Sequence, residues 1–230
     1  MNDRNSLFGR SATNAESVSN VIDSDARRVL RNTYMLLSAC LAFSAVAAGT
    51  TAALGLPGPG IIITLVGYFG LLFAITKYRD QALGVGLLFL LTGFMGYTLG
   101  PIISRYLSMP NGAETVMLAF GGTASIFVAL SAYAMVTKRD LSMMGGFLTI
   151  GILVAFLASL AGIFLQIPAL SLTVSAAFVV LMSGMILYET NNIVRGGETN
   201  YVMATLTLFI SIFNLFTSLL HLLGFVNRDE

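Results

Sequence analysis

The chain alternates long apolar runs with short polar connectors. After 31 mostly polar residues, seven apolar runs follow at 32–54, 60–76, 82–99, 115–136, 143–165, 169–188 and 201–226. Each comes close to the ~20 residues that an α-helix needs to cross the hydrocarbon core of a bilayer. Helix breakers stand between them: Gly55 and Pro59, Gly100 and Pro101, Pro110 and Gly112, Pro168, and Gly196 with Gly197. The pattern predicts an all-α integral membrane protein of seven transmembrane helices over 32–226. Polar stretches flank it: a flexible tail over 1–31 and a short C-terminal tail over 227–230. An interfacial helix is compatible with residues 23–31, where Asp25, Arg27, Arg28 and Arg31 would lie against headgroups.

The last run is not uniformly apolar. Thr207, Ser211, Asn214, Ser218 and His221 are spaced 4, 3, 4 and 3, which places them on one face of a helix. Leu206, Phe209, Ile210, Phe213, Leu220 and Leu223 occupy the other faces. In hydrocarbon a polar stripe turns toward protein or water. The last helix is therefore predicted at the centre, with the other six around it.

Composition agrees with a membrane span. Hydrophobic residues make up 56% of the chain and charged residues 10%, with a mean hydropathy of +0.85. Soluble domains carry about 25% charged residues. A net charge of +1 excludes a global field for nucleic acid. The chain has one cysteine, Cys40, and one histidine. That inventory excludes a disulfide framework and the usual zinc ligand sets, so no metal and no cofactor are expected. The opening run is too polar and the first apolar run too long for a cleavable leader.

Lysines and arginines divide unevenly between the two sides. Arg4, Arg10, Arg27, Arg28, Arg31, Lys77, Arg79, Lys138, Arg139 and Arg195 fall on one side, and Arg105 and Arg228 on the other. The positive-inside rule puts the N-terminus in the cytoplasm and, after seven spans, the C-terminus on the far side. Small residues in the spans, such as Ser38, Ala42, Gly93, Gly96 and Gly121, read as packing positions that let backbones approach.

No enzyme motif survives inspection. Ser183 and His221 suggest a hydrolytic dyad, but Ser183 lies about 9 Å from one end of its helix while His221 lies about 30 Å along the next. A dyad needs hydrogen-bond contact. Glu189 is the one carboxylate set against the body of an apolar segment. At a helix C-terminus the dipole disfavours an anion, so a basic partner is expected among Lys77, Arg79, Lys138, Arg139 and Arg195. A lone carboxylate with Asn214 and hydroxyls is a poor calcium cage, which takes six to eight oxygens.

Several stretches carry a resemblance. Gly96-Tyr97-Thr98-Leu99-Gly100-Pro101-Ile102-Ile103, Gly121-Gly122-Thr123-Ala124-Ser125-Ile126-Phe127, Ser131-Ala132-Tyr133, Thr137-Lys138-Arg139-Asp140 and Tyr188-Glu189-Thr190-Asn191-Asn192-Ile193 resemble the signature of the Bax inhibitor-1 family. Leu30-Arg31-Asn32-Thr33-Tyr34, residues 54–67 and Gly196-Gly197-Glu198-Thr199-Asn200-Tyr201 are similar to its bacterial inner-membrane subgroup, which modulates the FtsH protease. The likeness spans about residues 29–227. It implies a seven-helix bundle around the last helix, in the bacterial inner membrane with the C-terminus periplasmic. It also implies a non-enzymatic regulator whose partner is FtsH, an ATP-dependent membrane protease.

The broader family's alternative is a pH-sensitive proton or calcium leak with weak cation binding. Its two aspartates map onto Glu189 and Ser211, and its basic latch onto Lys77. Losing the second carboxylate removes the like-charge repulsion on which such a pair depends.

Overall fold

A computed structural model describes residues 3–226, with side chains from Ser24 onward except Ile163 and Pro168. Seven helices follow one another: α1 (Asp3–Ala53), α2 (Ile61–Tyr78), α3 (Ala82–Leu107), α4 (Gly112–Val136), α5 (Met144–Leu165), α6 (Pro168–Val194) and α7 (Tyr201–Val226). All seven contain a stretch long and apolar enough to cross a membrane, and in α1 it begins at Ser24. Where the side chains begin, α1 is already continuous with the first span, so Asp25 to Arg31 belong to that helix. Most of the side chains in the tail expected at 1–31, and all of the one at 227–230, lie outside the described residues.

Two helices outrun their expected ends. Gly100 and Pro101 were expected to close the third span, yet α3 passes through Pro101 to Leu107. Proline costs a helix one hydrogen bond, and here tertiary contacts hold the helix together. A β-carbon at Gly100 would collide with Thr51, so the glycine is there for close approach to α1 rather than for a turn. Beside it, the Tyr97 hydroxyl donates to the Pro57 carbonyl at 2.8 Å.

The sixth helix runs past Tyr188 through Val194, where a polar loop was expected from Thr190. Thr190, Asn191 and Ile193 are all buried, so packing overrides their polar sequence. Glu189 consequently sits within a helix, five residues before its last turn closes.

Helix α7 is the most enclosed. Half of its most apolar stretch is buried, against 6% for α2. It packs on α1, α3, α4 and α6, while α2 leans on α3 and α5 on α6. Phe69 of α2 and Phe156 of α5 meet edge to face at 5.9 Å. The apolar positions of α7 do most of the enclosing. Leu208, Phe209, Leu215 and Leu220 are all at most 1% exposed, whereas Thr207, Asn214 and His221 of the polar stripe are only half-buried. The stripe itself divides, since Ser211 and Ser218 are buried while its other three members are not.

Candidate functional site

The end of the bundle that carries Glu189 is unusually polar inside. Glu189 is 5% exposed, and its Oε1 has no hydrogen-bond partner. Two other buried oxygens at this end share that state, Thr33 Oγ1 of α1 and Ser131 Oγ of α4. Neighbouring groups are satisfied across helices. The Tyr34 and Thr190 hydroxyls lie 3.2 Å apart, joining α1 to α6. Thr205 of α7 donates to the Thr33 carbonyl at 3.3 Å and to the Tyr201 carbonyl at 2.7 Å. Polar atoms from α1, α4, α6 and α7 thus collect in a region where buried polar groups are ordinarily paired.

Loops close this end through asparagines. Asn191 accepts from the Leu141 N–H at 3.3 Å and donates to the Arg139 carbonyl at 3.4 Å, so it fastens the α4–α5 loop to α6. Asn200 caps α7: its Oδ1 accepts from the Val202 and Met203 N–H groups, both at 3.0 Å. Its amide donates to the Arg79 carbonyl and to Asp80 Oδ1, tying the α6–α7 loop to the α2–α3 loop.

The expected latch is not formed. Lys77 is exposed, with its ammonium 5.6 Å from the Tyr78 ring centroid. Among the described residues the ion pair within 4.0 Å is Arg79 with Asp80. None of the five expected basic partners reaches Glu189. The charged group that acts on Glu189 is Glu198, another carboxylate. Lengthening α6 explains this, since it lifts Glu189 away from the loop where those cations lie.

The polar stripe of α7 bonds mostly to its own helix. Ser211 donates to the Thr207 carbonyl at 2.8 Å and Asn214 to the Ile210 carbonyl at 2.9 Å. Ser218 is buried. His221 reaches another helix: its Nδ1 lies 2.8 Å from the Ser175 Oγ on α6. Depth correctly separates Ser183 from His221, and a serine eight residues earlier takes the contact. Ser175 also donates to the Ser171 carbonyl at 3.0 Å, so the pair ties α6 to α7. Thr33 and Ser131 stand out in the sequence only as members of family motifs, and Thr205 not at all, because a single hydroxyl in an apolar run carries no periodic signal. No group of three or more metal-ligating side chains occurs among the described residues.

A family model described as inhibitor of apoptosis-promoting Bax1 matches residues 26–228. The chain belongs to the Bax inhibitor-1 family. Among curated relatives, the modulator of FtsH protease YccA of Escherichia coli K12 is 50% identical over 202 residues, covering 88% of this chain and 92% of that protein. The inner membrane protein YccA of Escherichia coli O6:H1 matches to the same extent. A membrane protein of Vibrio cholerae is 40% identical over 207 residues, covering 90% and 93%.

Proposed function

We propose that this chain is a multi-pass protein of the bacterial inner membrane that binds and restrains an FtsH-type ATP-dependent protease. The supporting observation is the 50% identity, over nearly the full length of both chains, to a relative named as modulator of that protease. The reading assigns the chain no catalysis, and in it the Ser175–His221 contact serves as a tie between helices. In this reading the basic end of the bundle, with Lys77, Arg79, Lys138, Arg139 and Arg195, faces the cytoplasm, and the C-terminus is periplasmic. The protease's ATPase ring would then lie on the side of Asn191, Asn200 and Glu189.

A gated ion leak has less support. The position opposite Glu189 in the family's pair is Ser211, whose hydroxyl is spent on Thr207, and Lys77 stands away from the site.

The test is affinity purification of the full chain from native membranes, followed by addition of the pure chain to protease proteoliposomes. The protease should co-purify, and breakdown of a membrane substrate should slow as the chain is added. Absence of the protease from the eluate, with substrate turnover unchanged, would remove the reading. Calcium flux through proteoliposomes of the pure chain would favour the leak instead.

A further inference from the structure

One helix pair carries two cavities in line, one polar and one apolar. The polar cavity, of about 290 Å³, lies at the basic end of the bundle between the α4–α5 loop and the last turns of α6. Its walls include Asp140, Ser142, Tyr188, Asn192 and Arg195. The apolar groove, of about 420 Å³, follows the α5–α6 seam from Phe147 and Leu181 toward Ala158 and Leu170. Both belong to the same face of α6. Tyr188, Leu181, Ala177, Val174 and Leu170 are spaced 7, 4, 3 and 4, which is one continuous stripe along a helix. Tyr188 marks the junction, since its ring lies where a β-carbon of Gly145 on α5 would be.

Depth fits a lipid. From Tyr188 to Leu181 is about 10 Å along the axis, and to Ala177 about 16 Å. One leaflet of hydrocarbon is about 15 Å deep. The polar cavity therefore lies at headgroup level, with the near half of the groove at acyl-chain level directly beneath it. Helix α5 is peripheral, leaning on α6, so the groove opens outward: Phe147, Ile150 and Val154 on its rim are each at least 60% exposed.

Charge selects the headgroup. Arg195 donates one N–H to the Lys138 carbonyl, which orients the guanidinium and leaves four of its five donors. Asp140 accepts the Ser142 N–H at 2.9 Å. That bond first, then the Ser142 hydroxyl and the Arg195 charge, holds the Asp140 carboxyl below its ordinary range, so it is an anion at neutral pH. Arg195 and Asp140 act on each other across the cavity, yet they do not form one of the direct ion pairs among the described residues. A fixed cation and a fixed anion are thus left facing one space at interfacial depth. Basic pockets between membrane helices bind lipid phosphates. The added carboxylate favours a headgroup that also carries a donating cation.

We propose that the α5–α6 seam is a binding site for one zwitterionic phospholipid with a primary ammonium headgroup. Arg195 takes the phosphate by a charge-assisted fork, Asp140 takes the ammonium, and an acyl chain lies in the groove against Leu181 and Ala177. A choline headgroup has no N–H to give Asp140, and a glycerol headgroup brings no cation.

The experiment is native mass spectrometry of the delipidated full chain, titrated with phosphatidylethanolamine, phosphatidylcholine or phosphatidylglycerol of identical acyl chains. Phosphatidylethanolamine should be retained at least about tenfold more than either of the others, the scale of one hydrogen bond to a charged group. Asp140→Asn, at an exposed position, should erase the preference over phosphatidylcholine while leaving phosphate-dependent retention. Arg195→Gln should lower retention of both lipids about tenfold. Ala177→Phe should block the acyl chain and weaken the diacyl lipid alone. Glycerophosphoethanolamine, the same headgroup without chains, should compete only at far higher concentration. Equal retention of the three lipids, preference for phosphatidylglycerol, or full competition by the chainless headgroup would overturn the site. So would an Asp140→Asn variant that keeps its preference.

Discussion

Gly96 of α3 lies against the Ser44 carbonyl of α1 so closely that no β-carbon fits between them. The next turn brings Gly100 against the Thr51 side chain, and together these contacts hold α1 and α3 closely packed. At Gly96 backbone rather than a flexible side chain occupies the space, so the structure has no inexpensive way to yield there. Gly96→Ala should destabilise by about 1–3 kcal/mol, the range for overpacking a well-filled core. Gly121→Ala, at an exposed helical position with open space around it, should be neutral or slightly stabilising. Thermal unfolding of the two variants in detergent checks the difference, and equal midpoints would refute the close approach.

Enclosure of α7 rests on its apolar residues. Phe209 is 1% exposed, while Asn214 is half-buried and bonded to its own helix. Phe209→Ala should cost about 3–5 kcal/mol through the cavity it leaves. Asn214→Leu should cost under about 1 kcal/mol, since no bond between helices is lost. Chemical unfolding of the two variants should show that order.

Asn200 joins three segments through one side chain. Asn200→Ala should cost about 0.5–2 kcal/mol as a lost helix cap. It should also release the α2–α3 loop, because the bonds to Arg79 and Asp80 go with it. Hydrogen exchange at the Val202 and Met203 amides should rise, and protease cutting near Asp80 should quicken. Unchanged exchange at both amides would show that the cap contributes nothing.

Lys77 and Glu189 should be energetically independent. Lys77 stacks near Tyr78 and Glu189 is enclosed elsewhere. In a double-mutant cycle of Lys77→Ala with Glu189→Gln, the coupling should stay within about 0.5 kcal/mol, as for residues that do not touch. A coupling of about 1 kcal/mol or more would restore the latch.

Asp140 supplies a pH dependence. Its folded pKa is depressed, chiefly by the Ser142 N–H. The group therefore contributes stability that is fully present above the unfolded value, about 3.9, and is lost as pH falls through the lower folded value. The difference in melting midpoint between wild type and Asp140→Asn should be constant near neutrality and shrink below about pH 4. A difference that grew on acidification would reverse the sign and refute the assignment.

Length and greasiness were enough to count the helices, because a bilayer imposes one requirement on every span: about 20 apolar residues with their backbone bonds satisfied internally. The family motifs were equally plain, and α7 begins where its apolar run does, at Tyr201. Tertiary structure decided the rest. It carried α3 through Pro101, because Gly96 and Gly100 fit against α1, and it extended α6 to Val194, because Thr190, Asn191 and Ile193 are buried. With that extension, Glu189 moved from a helix end among cations to an enclosed position, where its Oε1, like the oxygens of Thr33 and Ser131, is buried without a partner. Asp140 and Arg195, 55 residues apart, face one cavity only because Asn191 fastens the α4–α5 loop to α6. Periodicity along a chain records which face of a helix is apolar. Which helix it meets, and which hydroxyl or carboxylate is left without a partner, depends on contacts between segments far apart in sequence.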